Sequence, residues 1–294
     1  MENIDKEGEA AYEKSVIDPK PMDPIAASDI LKDIKRILDQ LGAVFFIASG
    51  TCLGAIREGR FIPWDDEMDM GSVIGLNGLD EETIDRGIVA FKENGYYVHV
   101  NRTSRHIGVS VVKSSIRADW TCHRIIGDSV FQYPGVRTPL RLFKQLKEID
   151  FIGEKFLVPN PPEEYLETKY GPNWATPKGP GFEKEVVDKI PDADILSRRQ
   201  RLCKFITLFL IPWCAGRLKV LDENDNPVSG AEIVLVGIGR SKTNSEGYAK
   251  FYVPEKYDYA VNVKYGDHEE LLYGEELIPG ATYVYRPGPN VSPE

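Results

Sequence analysis

The hydrophobic positions in the first part of the chain follow a helical period in some segments and a strand period in others. Residues 28–41 carry apolar side chains at 30, 31, 34, 37, 38 and 41, with Ser28 as a candidate N-cap and Gly42 beyond the last turn. This spacing predicts an amphipathic helix, and residues 81–95 and 161–171 predict two more. Strands are predicted at 43–48, 96–102, 106–114 and 117–125. The mixture predicts an α/β (α+β) core.

The pattern changes near residue 216. Residues 217–288 contain short β-branched and aromatic runs separated by turn residues, as in "NDNPVSG" and "NSEG". Such a pattern predicts a small all-β sandwich. The apolar segment "FITLFLIPWCAG" (205–216) precedes it and is interpreted as a linker. It is shorter than the roughly 20 apolar residues that a membrane-spanning helix needs.

Residues 1–27 are polar, acidic and interrupted by prolines, so we expect a flexible lead-in to the core. They contain no apolar run of the kind found in signal peptides. The four cysteines, Cys52, Cys122, Cys203 and Cys214, form no paired spacing and are typical of reduced thiols. We therefore expect a cytoplasmic protein.

The charge balance is strongly acidic. The chain has 46 acidic and 36 basic residues, a net charge of −10 and a pI near 5.1. Non-specific binding to nucleic acid requires a basic surface. Nucleic acid is therefore not expected as a partner.

The segment "FIPWDDEMDM" (61–70) combines an acidic cluster with the apolar composition of a largely buried segment. From Asp66 onward the acidic and apolar residues alternate, with Met68 and Met70 between the acids. Because a strand has a period of two, Asp65, Glu67 and Asp69 are predicted to project to one side of a strand. Clustered carboxylates repel each other, and a bound divalent cation reverses the sign of that interaction.

Other residues near this cluster suit phosphate chemistry. The turn at Ser49–Thr51 opens a predicted helix, where backbone N–H groups can bind phosphate. Arg57 lies further along the same helix and is a candidate phosphate contact, and Asp119 on a later strand is a candidate fourth acid. Mg²⁺ favours a few carboxylates together with phosphate oxygens. A structural or calcium-binding acidic loop remains an equal alternative on these residues alone.

No nucleophilic serine or cysteine with a partnered histidine is evident. The four histidines are scattered along the chain, and the adjacent pair Cys122–His123 has no second pair that would complete a zinc site. A structural role is favoured for both residues. The acidic cluster is therefore the main candidate for chemistry.

The stretch "SGTCLGAIREGRFIPWDDEMDMG" (49–71) resembles the signature of the LicD (fukutin-type) family. A second block, "RLFKQLKEIDFIGEKFLVPNPPEEYLETKYGPNW" (141–174), is similar to the family's later motif and includes Tyr170, Gly171 and Trp174. The resemblance implies a nucleotidyltransferase-like core with a mixed sheet over residues 28–204. It also implies transfer of a substituted phosphate, such as phosphocholine or a polyol phosphate, from a CDP-activated donor to a sugar hydroxyl.

The resemblance also implies roles for individual residues. Glu67, Asp69 and Asp119 fall on the metal-binding and catalytic acids, with Mg²⁺ or Mn²⁺ as the expected cofactor. The implied acceptor is a cell-surface glycan or its lipid-linked precursor. Gly50, Thr51, Arg57 and Asp65 fall on positions implied to bind or orient the substrate. Tyr170, Gly171 and Trp174 have an implied donor-binding or structural role.

Three positions depart from the family pattern. Glu67 stands where aspartate is usual, Ala48 precedes the Gly–Thr pair, and Trp-Thr-Cys-His follows Asp119. Because Mg²⁺ demands strict geometry, the longer Glu67 side chain leaves open a catalytically impaired binding or scaffold protein. A nucleotidyltransferase that adds a nucleoside monophosphate to an acceptor is a second alternative, since it would use the same acids.

The C-terminal segment is similar to carboxypeptidase regulatory-like, transthyretin-like β-sandwich domains. The similarity rests on "DNPVSGAEIVLVG", on Gly247 in a predicted hairpin and on a tyrosine-containing strand. It implies an accessory domain without catalytic residues.

The segment "SRRQRLCKFITLFLIPW" (197–213) places four basic residues before an apolar patch. This order is typical of an interfacial helix that contacts anionic lipid, which predicts peripheral contact with the inner membrane face. The alternative, which we favour from sequence, is that the apolar residues pack between the two domains while the arginines face water.

Overall fold

The computed structural model describes residues 2–178, 186–192, 195–211, 215–288 and 291–293. The chain divides into two compact units. The first comprises Met1–Phe131 and Thr138–Pro177, and the second comprises Gln132–Arg137 and Lys178–Glu294. The division near residue 178 lies before the boundary expected at 216, because residues 195–211 belong with the C-terminal strands.

The first unit combines helices with short strands. Its helices are α1 (Glu2–Ile17), α2 (Pro24–Gln40), α3 (Ser49–Glu58), α4 (Glu81–Glu93), α5 (Arg141–Lys144) and α6 (Pro162–Tyr170). Its sheet strands are β1 (Phe46–Ile47), β2 (Glu67–Val73), β3 (Tyr97–Arg102), β4 (His106–Lys113) and β5 (Ile116–His123). Strands β8 (Lys147–Phe151) and β9 (Glu154–Val158) form a hairpin. Strands β6 (Ser129–Gln132) and β7 (Val136–Pro139) form a two-stranded sheet whose connecting residues, Gln132–Arg137, are assigned to the second unit.

The central sheet is mixed and has the order β1-β2-β5-β4-β3. Strands β2 and β5 are parallel, and every other neighbouring pair is antiparallel. The prediction of a mixed α/β architecture is therefore confirmed. Whether this core is nucleotidyltransferase-like stays a prediction.

One face of the sheet is covered by α2 and α4. Helix α2 buries the apolar residues that define its stripe, and Trp120 of β5 packs against Phe91 of α4 with ring centroids 6.2 Å apart. The indole of Trp120 donates a hydrogen bond of 2.8 Å to Ser72. Met68 and Met70 are almost fully buried, so the alternation within β2 directs the acidic residues to the opposite face.

The N-terminal residues differ from the expected flexible lead-in. Residues 2–17 form α1, where Tyr12 stacks on His99 of β3 with ring centroids 4.7 Å apart. Helix α2 begins at Pro24, and Asp23 is its N-cap in place of Ser28. The polar composition of the segment predicted disorder. Its aromatic contacts join residues far apart in the chain, so the local sequence does not indicate them.

The second unit contains α7 (Arg198–Phe205), which continues into a π-helical turn (Ile206–Leu210), followed by eight strands. The strands are β10 (Gly216–Val220), β11 (Glu232–Leu235), β12 (Gly239–Lys242), β13 (Tyr248–Phe251), β14 (Tyr257–Tyr265), β15 (His268–Leu277), β16 (Thr282–Tyr285) and β17 (Val291–Pro293). They form two four-stranded sheets, β13-β10-β16-β17 and β12-β11-β14-β15.

Apolar side chains from both of these sheets line one small cavity: Leu218 and Phe251 from the first, and Ile233, Leu235, Val261 and Leu277 from the second. This arrangement is consistent with the predicted β-sandwich. The resemblance of the unit to regulatory-like domains stays a prediction. In the part of the chain that the structure describes, no helix is both long and apolar enough to cross a membrane.

Candidate active site

A row of polar side chains crosses the face of the central sheet opposite α2 and α4. Asp69 on β2 is in register with Asp119 on β5, Asp119 with Ser110 on β4, and Ser110 with His99 on β3. Residues in register on neighbouring strands point to the same face, and neighbouring strands are about 4.8 Å apart. Tertiary pairing therefore brings together two of the predicted acids, which are 50 positions apart in sequence.

The first turn of α3 holds Asp69 in place. The backbone N–H of Gly50 donates a 3.0 Å hydrogen bond to Oδ2 of Asp69. The backbone N–H of Asp69 donates a 2.8 Å hydrogen bond to the hydroxyl of Thr51, which is fully buried. The structure thus places Thr51 in a positioning role behind Asp69, and corrects its prediction as a direct substrate contact.

Asp65 lies in the turn before β2, beside Gly50. A Cβ atom at position 50 would come within 2.7 Å of Oδ2 of Asp65, so only glycine allows this close approach. That oxygen is buried and has no hydrogen-bond partner among the described residues. Trp64, which the sequence predicted to be buried, is 57% exposed.

Glu67 is held by a basic residue that sequence reasoning missed. Arg117 forms an ion pair with Glu67 and lies 3.6 Å from Asp66 and 3.7 Å from Asp119, with only 11% of its side chain exposed. Arg117 and Glu67 are in register on β5 and β2. The two-residue spacing of Arg117 and Asp119 already predicts a common strand face, and that signal was available in the sequence.

The structure does not bring Arg57 to the acids. Arg57 lies in the last turn of α3, about 10 Å along the helix axis from Gly50. Its guanidinium forms a 2.6 Å ion pair with Glu58, and 9% of its side chain is exposed. The assignment of Arg57 as a phosphate contact stays a prediction, since the neighbouring Glu58 binds its guanidinium in this structure.

Helix α6 supplies residues to the same region. The hydroxyl of Tyr165 accepts a 3.0 Å hydrogen bond from the backbone N–H of Ser49, at the start of α3. Lys169 follows Tyr165 by one helical turn and lies on the same side of α6. Its charge interacts with that of Asp69. The second sequence block therefore contributes a lysine, in addition to the aromatic residues that its motif emphasised.

Helix α1 reaches the other end of the polar row. Ser110 interacts both with Asp119 and with Tyr12. Arg117 donates a 3.4 Å hydrogen bond to the hydroxyl of Ser15. Nothing in the local sequence of residues 2–17 indicates these contacts, since they depend on how α1 packs on the sheet.

Comparison with known proteins places this geometry in a family. The model of the LicD/FKTN/FKRP nucleotidyltransferase domain matches residues 42–161. This segment is similar to the LicD family, and we call it the LicD domain. The match includes all the predicted site residues from Gly50 to Asp119 and ends just before α6.

Three curated proteins illustrate the similarity of the LicD segment. The human ribitol-5-phosphate transferase FKTN is 24% identical over 180 residues, and the human ribitol 5-phosphate transferase FKRP is 26% identical over 164 residues. These alignments cover 57% and 50% of this chain. An uncharacterised Rickettsia typhi protein is 34% identical over 73 residues, which are 25% of this chain. The chain spans only 22% to 38% of the length of these relatives.

Burial raises the pKa values of three aspartates in the LicD domain. It raises the pKa of Asp65 to about 8, with further contributions from Asp69 and Asp66. It also raises the pKa of Asp69 to about 6, where Lys169 opposes the shift and Asp119 reinforces it. The pKa of Asp119 is raised by burial against the opposing effect of Arg117. Perturbed carboxylates of this kind concentrate at functional sites.

The donor set of the LicD domain fits a hard divalent cation only in part. Within the described residues, no three carboxylate, histidine or cysteine side chains are grouped as a complete metal site. Asp69 and Asp119 are in register, and Oδ1 of Asp119 is a buried acceptor without a hydrogen-bond partner among the described residues. Two carboxylates completed by substrate phosphate are a typical Mg²⁺ arrangement. Glu67, the third predicted ligand, is bound to Arg117.

His123 of the LicD domain is a buried structural residue. It is 4% exposed and interacts with the backbone of Phe131. Burial lowers its pKa to about 3, and the charges of His106 and Lys169 act in the same direction. These features agree with the structural role favoured from sequence.

Replacing His123 with glutamine should flatten the acid side of the stability profile. A histidine whose folded pKa is lowered binds a proton only on unfolding, so its contribution to stability is lost as the pH falls below about 6.5. Between pH 7 and pH 4 the wild type should lose about 3 kcal/mol more than His123→Gln, at about 1.4 kcal/mol per pH unit. Urea unfolding at both pH values measures this difference. Equal losses in the two proteins would contradict it.

Proposed function

We propose that this chain is a divalent-cation-dependent phosphotransferase that moves a substituted phosphate, such as ribitol phosphate or phosphocholine, from a CDP-activated donor to a sugar hydroxyl. The observation that carries the proposal is the in-register pairing of Asp69 and Asp119 beside the first turn of α3. The LicD match over these same residues and the printed activity of the FKTN and FKRP relatives support it.

The proposed step is a direct in-line transfer. The oxygen of the acceptor hydroxyl attacks the phosphorus of the substituted phosphate, and the bond from that phosphorus to the bridging oxygen breaks as CMP leaves. Asp119 accepts the proton of the hydroxyl, a role that suits a carboxylate whose pKa burial has raised. No covalent intermediate with the protein is required.

Asp69 and Asp119 are the residues that would hold the cation. When bound, Mg²⁺ or Mn²⁺ neutralises the negative charge that develops on the phosphate oxygens. Gly50 keeps Asp69 oriented through its backbone N–H group. Glu67 can join this set only if its ion pair with Arg117 opens, since Arg117 binds it in the described structure.

Lys169 is proposed to bind the diphosphate of the donor. Burial lowers the pKa of this lysine, while Asp69 opposes that shift and favours the charged form. A phosphate that enters beside Asp69 therefore meets a partly desolvated cation, where electrostatic interactions are stronger than in bulk water. Placement on α6 next to Tyr165 fixes the lysine relative to α3.

Lys169→Met should weaken donor binding by about 30-fold, which is the loss expected for a hydrogen bond to a charged group. The KM for the donor should rise by this factor while the KM for the acceptor stays unchanged. Lys169→Arg should recover most of the affinity, and Lys155→Met, on an exposed lysine of β9, is the matched control. A rise confined to the acceptor KM would contradict the assignment.

A ligand panel tests the proposed function as a whole. Melting temperatures are measured with Mg²⁺ or Mn²⁺ and with CTP, CDP-choline, CDP-ribitol or CDP-glycerol, since a ligand that binds the native state raises the midpoint. A cation-dependent shift with one CDP compound, followed by the mass of that substituted phosphate on a glycan acceptor, is the expected result. A shift with CTP alone and a product carrying CMP would indicate nucleotidyl transfer. No shift with any donor would indicate a catalytically inactive site, in which the ion pair with Arg117 keeps Glu67 from binding a cation.

A further inference from the structure

Helix α7 and its π-helical turn expose an apolar surface that the described residues of the second unit leave uncovered. Leu202, Phe205, Phe209 and Leu210 are 53% to 70% exposed. Leu202, Phe205 and Phe209 follow one another at intervals of three and four residues and so lie on one face of the helix. The rings of Phe205 and Phe209 pack together with centroids 5.0 Å apart. We call these four residues the apolar stripe.

The opposite side of the helix is attached to the second unit. Lys204 donates a 2.7 Å hydrogen bond to the backbone oxygen of Ile238, and Cys203 interacts with Tyr252. The attachment fixes the rotation of the helix about its axis, so the apolar stripe points outward. The four side chains are therefore not packed on the described residues of the second unit, and the interpretation that they pack between the two domains stays a prediction.

The charge around the stripe is opposite to that of the chain. Residues 197–211 contain four basic residues and no acidic residue, although the whole chain has a net charge of −10. Arg198, Arg199 and Arg201 are exposed and precede the stripe. Arg198 lies four residues before Leu202 and therefore on the same helix face. A surface that complements this segment must be apolar at its centre and anionic at its edge.

We propose that α7 and its π-helical turn form a peripheral membrane-docking element for an anionic lipid surface. The apolar stripe would enter the boundary between headgroups and acyl chains, and the three exposed arginines would contact lipid phosphate and carboxylate groups. Long arginine side chains can keep their charge at headgroup level while their stems cover apolar surface. This inference does not depend on the proposed transfer activity.

Vesicle sedimentation of the full chain tests the proposal. Vesicles of phosphatidylcholine with about one third phosphatidylserine should bind the protein, and vesicles of phosphatidylcholine alone should not. Phe205→Ser/Phe209→Ser should lower the partition coefficient by about 100-fold, as expected for two partly inserted aromatic side chains. Arg198→Gln/Arg199→Gln should lower it by about 30-fold. Raising the salt from 0.1 M to 1 M, which shortens the Debye length from about 10 Å to about 3 Å, should weaken binding of the wild type.

Matched controls separate the stripe from general surface effects. Ile25→Ser/Val89→Ser removes two exposed apolar residues of the first unit, and Lys14→Gln/Lys92→Gln removes two exposed charges outside α7. Both should bind vesicles like the wild type. Equal losses in the controls, or no wild-type binding to anionic vesicles, would overturn the proposal.

Two further results would assign the stripe to another occupant. A dimer in light scattering that Phe205→Ser/Phe209→Ser converts to a monomer, without vesicle binding, would show that a second copy covers the stripe. A large drop in melting temperature for the same variant, again without vesicle binding, would show that the stripe packs within the chain. Either result overturns membrane docking.

Discussion

Asp69→Asn should lower the rate of phosphate transfer by about 10³-fold and at the same time make the protein more stable. A bound cation contributes several kcal/mol to stabilising the charge that develops during transfer, and the amide cannot replace the carboxylate as its ligand. The amide oxygen can still accept the hydrogen bond that Gly50 donates to Oδ2 of Asp69. Loss of the negative charge beside Asp119 removes a repulsion within a buried site.

The gain in stability should be about 3 kcal/mol near neutral pH, since the Asp69 pKa of about 6 lies roughly 2 units above its ordinary value and each unit corresponds to about 1.4 kcal/mol. Product formation with the donor found in the ligand panel measures the rate, and urea unfolding without cation measures the stability. Asp66→Asn is the control within the same acidic run, because Asp66 lies outside the polar row and should change the rate by less than about threefold. A fully active Asp69→Asn protein would contradict the proposed role.

Arg117→Gln should lower the stability of the cation-free protein by about 3 kcal/mol. Removing one partner of a buried ion pair leaves the other charge desolvated and uncompensated. Arg117 is the counter-charge for Glu67, Asp66 and Asp119, and its side chain is 11% exposed. The melting temperature should fall by roughly 10 °C, given about 2–4 °C per kcal/mol for a unit of this size.

A divalent cation should restore part of this loss. Because Arg117 and a cation would both neutralise Asp119, the cation should raise the melting temperature of Arg117→Gln by more than that of the wild type. Arg60→Gln is the matched control, since Arg60 is 70% exposed and pairs with Glu58 at 3.3 Å. Its stability should change by less than about 0.5 kcal/mol. Equal cation-induced shifts in Arg117→Gln and the wild type would show that Arg117 and the cation do not compete.

Asp69 and Arg117 differ in how readily the sequence indicates their place in the site. Asp69 is part of an acidic alternation that was evident at once, and the LicD resemblance assigned it a role. Arg117 lies beside the same acids. In sequence, only its two-residue spacing from Asp119 on a predicted strand indicates that both side chains share one face of the sheet. Lys169 was less visible still, because its relation to Asp69 depends on how α6 packs against α3.

The ion pair of Arg57 could not be predicted from the sequence for a related reason. Sequence spacing along α3 indicates only that Arg57 follows the phosphate-binding turn by about two helical turns. It does not indicate which carboxylate takes the guanidinium, and the adjacent Glu58 does so at 2.6 Å. Short-range competition for a charged side chain is decided by rotamers and packing.

The sequence by itself determined the local elements and the separation of the acids from the apolar residues. A helical period of 3.6 and a strand period of two are properties of the backbone, so α2, α4 and β2 follow from patterns within a few residues. The change of pattern before β10 likewise indicated the all-β segment. The mixed α/β class followed from the order of these elements.

Only the tertiary structure decided which distant residues meet. The register that aligns Asp69, Asp119, Ser110 and His99 depends on strand pairing between segments far apart in the chain. The ordering of α1 by Tyr12 and the outward rotation of α7 by Lys204 depend equally on long-range contacts. These arrangements minimise the free energy of the whole packed unit, and a local window of sequence does not contain the contacts that decide them.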